Sequence, residues 1–299
     1  MLGGLPRPPL PDDAPLDALV QAVVRAQEAA GLEPITDGGL RAEDDPAGGW
    51  EATQHLTSRA VKQAVTGPYT AGRSTDGSTW ERRAATLARA ADLNLALCRL
   101  AASGCPLIEI HEPAAVLVGM DEAERALFRE AHLRLLDGVE GSHRSLALTG
   151  GSADQAGIET ILAAPYESLA VDLIAGPDNW RLVAGAPGDR GIILGALSAT
   201  ADSDDGPETL LWAADYAAST GGRGHARIGL ATASSLAHLP WELAVRKLER
   251  LGAAARLADR PRDERVRALD PRGVSSRSAA LGRVDPPRHI DPQAGSEPT

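Results

Sequence analysis

The residues of this chain best suited to chemistry stand at the ends of short apolar runs. Leu107 to Ile110 lead straight into His111-Glu112-Pro113, and Leu169 to Ile174 carry Asp172. A neutral imidazole near a carboxylate can act as a general base, and a carboxylate at a strand end can hold a proton or a ligand. His111, Glu112 and Asp172 are therefore the candidate catalytic residues. Their bland readings are a histidine satisfied by hydrogen bonds, a loop-stabilising glutamate and a buried acceptor. Asp37, Tyr69, Thr70, Thr149, Ser234 and Arg7 are the candidates for holding a substrate at the same rim; loop capping or ordinary strand-end hydroxyls are the alternatives. No serine sits in a Gly-x-Ser-x-Gly elbow, and no Gly-x-Gly-x-x-Gly follows the first apolar run. Neither a hydrolase nucleophile nor a dinucleotide site is indicated.

Other reactive side chains carry less. His143 and His225 fall outside the strand ends, His132 lies within a helical pattern, and His55 leads into an apolar run. Cys98 and Cys105 flank a helix end and read as small buried hydrophobes. The run Asp202-Ser203-Asp204-Asp205 lacks the spaced ligands of a calcium loop and reads as a solvated turn.

The elements that must position these residues alternate along the chain. Helical periodicity covers Leu16 to Ala30, about Glu81 to Ser103, Asp121 to Leu136, Glu208 to Ser219 and Pro240 to Leu257. Between them stand short apolar runs at Leu32–Ile35, Val61–Val65, Leu107–Ile110, Leu146–Leu148, Leu169–Ile174, Ile192–Leu197 and Ala226–Leu230. Strands alternating with amphipathic helices mean parallel pairing with helical crossovers, an α/β fold. Seven such runs ending in small or polar residues favour a closed (β/α)8 barrel over an open sheet.

Composition narrows the function classes. Among 299 residues, Asp plus Glu outnumber Lys plus Arg by 41 to 30, for a net charge of −11. An acidic surface repels phosphate backbones and anionic lipid, so neither nucleic acid nor membrane is expected as a partner. Only 3% of residues are aromatic, so Ala, Leu, Val and Ile must fill the core. The two cysteines cannot supply a four-thiolate metal site, and a cytoplasmic location is expected. Beyond residue 258 Asp, Arg, Pro and Ser dominate without helical period. Residues 1–258 are therefore expected to form the barrel, and 259–299 a tail that is flexible or docked on a neighbour.

Several strand-end signatures resemble, in order, those of the catalytic barrel of cobalamin-independent methionine synthase. Gly3-Gly4-Leu5-Pro6-Arg7-Pro8 resembles its Gly-Ser-Phe-Pro opening, and Gly31-Leu32 to Thr36-Asp37-Gly38-Gly39 its Gly-Leu-Asp-x-x-x-x-Gly-Glu segment. Thr66-Gly67-Pro68-Tyr69-Thr70 is similar to Pro-Gly-Pro-x-Thr. Ile108-Glu109-Ile110-His111-Glu112-Pro113-Ala114 resembles Ile-Gln-Ile-Asp-Glu-Pro-Ala, and Leu236 to Leu248 the helix after the last strand. The resemblance spans about residues 3–257 and implies a (β/α)8 barrel of the uroporphyrinogen decarboxylase/methionine synthase-like superfamily. The strand that should precede Gly3 has only Met1-Leu2, so a truncated or missing first strand is expected, its exposed neighbours covered by the tail or in a homodimer.

The family implies zinc, held by His-x-Cys, a Glu and a late Cys, together with a folate methyl donor. Here the late Cys position falls in Ala233-Ser234-Ser235-Leu236 and the Glu position on Asp172. His-x-Cys matches either His143-Arg144-Ser145 or, keeping the strand and its spacing, Ala147-Leu148-Thr149. Both thiolates are absent in either register, so no metal and no cofactor is expected. The Asp before Glu-Pro-Ala is His111 and the Glu of Gly-Glu is Gly39, which removes two partners for an amino-acid ammonium. The expectation is a diverged, zinc-less enzyme of methyl- or alkyl-transfer type acting on a small molecule, not one that makes methionine. Its alternatives are a metal-free decarboxylase or lyase using Asp37, Arg7 and Arg73, and a barrel that binds a ligand or partner without catalysis.

Overall fold

The computed structural model describes residues 1–268, apart from 202, 204, 205 and 259. The aspartates of the expected turn at 202–205, and most of the expected tail, lie outside those residues. Helix α1 (Leu16–Ala30) stops at Gly31, whose left-handed φ of 80° lets its N–H close on the Gln27 and Glu28 carbonyls. Helix α2 (Pro46–Gln54) is announced by no apolar period; the Asp45 side chain caps it by accepting from the Gly48 N–H. Then come β1 (Lys62–Thr66), α3 (Pro68–Arg73) and α4 (Thr79–Ala102), which opens on a capping box between Ser78 and Glu81. Strand β2 (Leu107–His111) leads to α5 (Glu122–Leu135), and β3 (His143–Leu148) to the single turn α6 (Ile158–Ile161). His143 therefore opens its strand instead of preceding it. Strand β4 (Ser168–Asp172), α7 (Trp180–Gly185), β5 (Gly191–Leu197), α8 (Pro207–Ser219), β6 (Ile228–Thr232) and α9 (Trp241–Ala258) complete the alternation.

The chain divides into two compact units, Met1–Ala255 and Arg256–Thr299. In the second, Arg262–Ala268 forms a short helix, α10, with Asp263 paired to Arg267 at 2.6 Å. No helical period marks this stretch.

In the first unit the six strands lie parallel in chain order, β1 to β6. Leu32–Ile35 does not become a strand; a single parallel bridge joins Ile35 to Val61. The buried Gln27 amide replaces the missing ladder, donating to the Thr36 carbonyl at 2.7 Å and accepting from the Thr36 N–H at 3.1 Å. Residues Met1–Leu5 lie between this segment and β6. The Thr232 hydroxyl bonds both backbone groups of Leu2, and the Leu236 N–H donates to Gly4. On the other side the Leu5 N–H donates to the Gly38 carbonyl at 2.8 Å. Six strands and two irregular segments thus close a (β/α)8-type barrel. In place of a regular first strand stands the Met1–Leu5 segment, held by backbone and side-chain bonds.

Strand side chains alternate between two cores. Ile108, Ile110, Leu146, Leu148, Leu169 and Val171 join the helices in the larger one. Leu2, Ala147, Ala170 and Ala231 form a separate cluster with Ile193, a barrel interior built mostly of small residues. Under α5 the only phenylalanine, Phe128, is fully buried, edge-on to Tyr69 at 5.5 Å and over His132 at 4.1 Å between centroids. Phe128→Ala should lower stability by about 3–5 kcal/mol, since it removes a large buried ring and leaves a cavity. Urea unfolding followed by tryptophan fluorescence measures the loss.

Candidate active site

The inner face of β1 and β2 carries three ionisable side chains. The register pairs Ala64 with Glu109 and Thr66 with His111, so Lys62, Glu109 and His111 share one side by the period of two. Glu109 Oε1 accepts from Lys62 Nζ at 2.6 Å and meets His111 Nε2 at 2.7 Å. Lys62 and Glu109 are 5% and 3% exposed, His111 17%. Lys62 Nζ also donates to the Met1 carbonyl at 2.8 Å. Burial by itself would raise the Glu109 carboxyl; the Lys62 ammonium and the His111 contact outweigh it and hold the group well below the usual carboxylate range. Above it lies a cavity of about 130 Å³, bounded by these three residues together with Gly4, Asp37, Arg41, Glu43 and Thr66.

The other charges at this cavity are already engaged. Asp37 accepts from the Gly39 and Arg41 N–H groups, at 2.9 and 3.0 Å. Glu43 accepts from the Thr66 N–H at 3.0 Å and its hydroxyl at 3.1 Å. Arg41 pairs with Asp17 at 2.6 Å and bonds the Thr53 hydroxyl at 3.2 Å. His111 differs from them: its Nε2 rests on Glu109, and among the described residues Nδ1 has no hydrogen-bond partner.

Of the residues singled out from sequence, the structure brings His111 and Asp37 together at this cavity. It puts Glu112 to another use. That carboxylate is wholly buried and accepts from the Tyr69 N–H at 2.9 Å, the Thr70 N–H at 2.7 Å and the Thr70 hydroxyl at 2.5 Å. It thereby caps the start of α3, and a Cβ on Gly67 would collide with it, which accounts for the Gly67-Pro68 signature. His132 Nε2 lies 3.3 Å from the same carboxylate, with Nδ1 on the Tyr166 hydroxyl at 2.6 Å. Tyr69 is buried away from the cavity, its hydroxyl donating to Glu124 at 2.6 Å, and burial pushes that phenol up. Thr70 donates to Glu112 and accepts from the Ala114 N–H.

Asp172 is also occupied. Buried at the end of β4, it accepts from the Gly150, Ile174 and Ala175 N–H groups at 2.9–3.1 Å. Thr149 and Ser234 are half-buried beyond the ends of β3 and β6 and do not line the cavity. Arg7 is exposed and donates to the Pro11 and Asp12 carbonyls. Arg73 pairs with Glu124 at 3.2 Å. Neither Arg7 nor Arg73, the candidates of the alternative decarboxylase or lyase reading, lines this cavity. Sequence reasoning missed Lys62 and Glu109. The available signal was the i, i+2 spacing of Glu109 and His111, which puts both on one face of a strand.

Among the described residues, no three His, Cys, Asp or Glu side chains gather as a metal-binding group. Glu112→Ala should cost about 2–5 kcal/mol, because buried N–H groups lose a charged acceptor. Chemical denaturation of the two proteins measures it. A change under 1 kcal/mol would contradict the capping role.

No family model matches the chain. A 5-methyltetrahydropteroyltriglutamate–homocysteine methyltransferase of Rhodopseudomonas palustris (strain TIE-1) is 33% identical over 158 residues, 49% of this chain and 18% of that protein. The enzyme of the same name from Nitrobacter winogradskyi is 31% identical over 158 residues, 50% of this chain and 19% of that one. The match thus spans about a fifth of the length of these curated relatives. The solved B12-independent methionine synthase from Shewanella sp. W3-18-1, in complex with selenomethionine, superposes with a TM-score of 0.71 at 14% identity. That superposition covers 86% of this chain and 96% of the other. The putative vitamin-B12 independent methionine synthase from Listeria monocytogenes gives 0.66 at 13% identity, over 85% and 95%. At such identities the structures speak for the fold, and the sequence match for descent. About half of this chain is thus similar in sequence to part of these methyltransferases, and the chain has the barrel fold of the solved methionine synthases.

Proposed function

We propose that this barrel is a zinc-free, cytoplasmic enzyme of the methyl- or alkyl-transfer type, in which His111 takes the proton from the atom that accepts the alkyl group. The observation that carries this reading is the 2.7 Å contact of His111 Nε2 with a buried, ionised Glu109 at the wall of the cavity. A heteroatom attacking an alkyl carbon must shed its proton, and a metal can promote this by stabilising the anion. A neutral imidazole does so by accepting the proton, and a carboxylate on its other nitrogen stabilises the resulting cation. The acceptor–carbon bond forms as the donor–carbon bond breaks, and the donor leaves with the bonding pair.

The zinc of the relatives' family does not fit the donors present. Zinc prefers thiolate, imidazole and carboxylate ligands in tetrahedral array. The strand ends offer two neutral hydroxyls, Thr149 and Ser234, and an Asp172 whose oxygens already serve three amides. Each carboxylate at the cavity is likewise engaged, which disfavours an ammonium-bearing acceptor such as homocysteine. A small neutral molecule suits it better. The internal commitment of Glu112 and Asp172 favours a second reading, a barrel that binds a small ligand without transforming it.

A thermal-shift screen against thiols, folates, amino acids and tetrapyrroles, repeated on His111→Ala, tests the proposal. The expected hit raises the melting temperature of the wild type and not of the variant. The hit is then incubated with a methyl donor, and mass spectrometry looks for alkylated product. Binding without product supports the second reading, and a full set of hits unaffected by His111→Ala overturns the role of His111. Elemental analysis of protein purified without chelator should find zinc far below stoichiometry. Stoichiometric zinc that disappears in Asp172→Ala would refute the zinc-free assignment.

A further inference from the structure

We propose that Lys62 and Glu109 are positioning residues that fix the His111 imidazole with its proton on Nε2 and its lone pair on Nδ1. Lys62 Nζ touches Glu109 Oε1 at 2.6 Å, and both side chains are buried. An ionised carboxylate only accepts hydrogen bonds, so the imidazole nitrogen that meets it at 2.7 Å must bring the proton. A protonated Glu109 would donate instead, and the tautomer would be inverted.

Lys62 decides between these two states. Burial favours the neutral carboxyl, whereas a contacting ammonium favours the ionised one. The ammonium is itself anchored on the Met1 carbonyl. Asp37, Arg41 and Glu43, the other charged side chains lining the cavity, are bound to their own partners. The effect on His111 is directional, because it sets which ring nitrogen can receive a proton from a substrate.

This inference rests on the proposed role of His111, yet its test needs no substrate. A failed ligand screen and a failed tautomer measurement are therefore separate results. In protein labelled with 15N-histidine, long-range proton–nitrogen spectra distinguish protonated from unprotonated ring nitrogens. His111 is assigned by the signals lost in His111→Ala. At neutral pH the wild type should show a pyrrole-type Nε2 and a pyridine-type Nδ1.

In Lys62→Met the buried Glu109 should take up a proton and the two nitrogens should exchange types, while Lys62→Arg keeps the wild-type pattern. If Lys62→Met does not fold, the double variant Lys62→Met/Glu109→Gln removes both charges together. Its His111 nitrogens should move toward averaged, intermediate shifts. Circular dichroism establishes folding in each case. The proposal is overturned by a proton on Nδ1 in the wild type. It is equally overturned by an unchanged tautomer in every folded variant that lacks the Lys62 charge.

Discussion

The buried contact between Lys62 and Glu109 constrains the rest of the barrel. Taking either charge out of water costs several kcal/mol, and only a close pairing recovers it. The pair therefore fixes the alignment of β1 on β2, where a slip of one residue would turn Lys62 or Glu109 into the helix layer. It also requires space, and the interior provides it by using alanine at 147, 170 and 231 and glycine at 191 and 195 on the facing strands. One irregular segment contributes directly: the Met1 carbonyl accepts from Lys62 at 2.8 Å. The interior ion pair thus helps seat the stretch that closes the barrel between β6 and the Ile35 bridge.

The mouth depends on a related use of carboxylates. Glu112 holds the amides that open α3, Asp172 those of the loop after β4, and Asp37 those of the turn at Gly38-Gly39. Each gives loop amides a charged acceptor; for Glu112 and Asp172, at the ends of β2 and β4, these charge-assisted bonds are buried, whereas that of Asp37 to Gly39 is exposed. Loops anchored in this way keep their shape independently of what the cavity binds.

Most of the fold was legible in the sequence, because period and punctuation report burial directly. The apolar runs at 107–110, 169–174 and 192–197 fall within or overlap β2, β4 and β5, and α1, α4, α5, α8 and α9 lie within a residue or two of the expected limits, while the short α3, α6 and α7 were not foreseen. Leu32–Ile35 misled because a buried glutamine side chain, not a strand partner, satisfies Thr36. Helix α2 was missed because Gly48 and Gly49 weaken its propensity and tertiary packing around Trp50 decides it. At the site, His111 and Asp37 were legible as strand-end polar residues. Glu112 and Asp172 looked the same on paper, since a residue type does not reveal whether its oxygens face a cavity or the amides of a neighbouring loop. Lys62 and Glu109 escaped notice because a charge within an apolar run reads as a solvated edge until its partner on another strand is known.

Glu109 and His111 also belong together as a departure from the pattern the chain resembles. That pattern has a neutral Gln followed two residues later by an Asp; here a Glu is followed by a His. The carboxylate has in effect moved one layer down the inner face of β2, by the ~6–7 Å that two strand residues span. Neither change alone gives a comfortable site. Glu109 with an aspartate at 111 would set two carboxylates on one face against a single ammonium, and their repulsion would drive a proton onto one of them. His111 above a glutamine would meet an amide that can either donate or accept, which leaves the imidazole tautomer undetermined. With both changes, the negative charge is neutralised at depth by Lys62 and the rim presents an oriented imidazole in place of an anion.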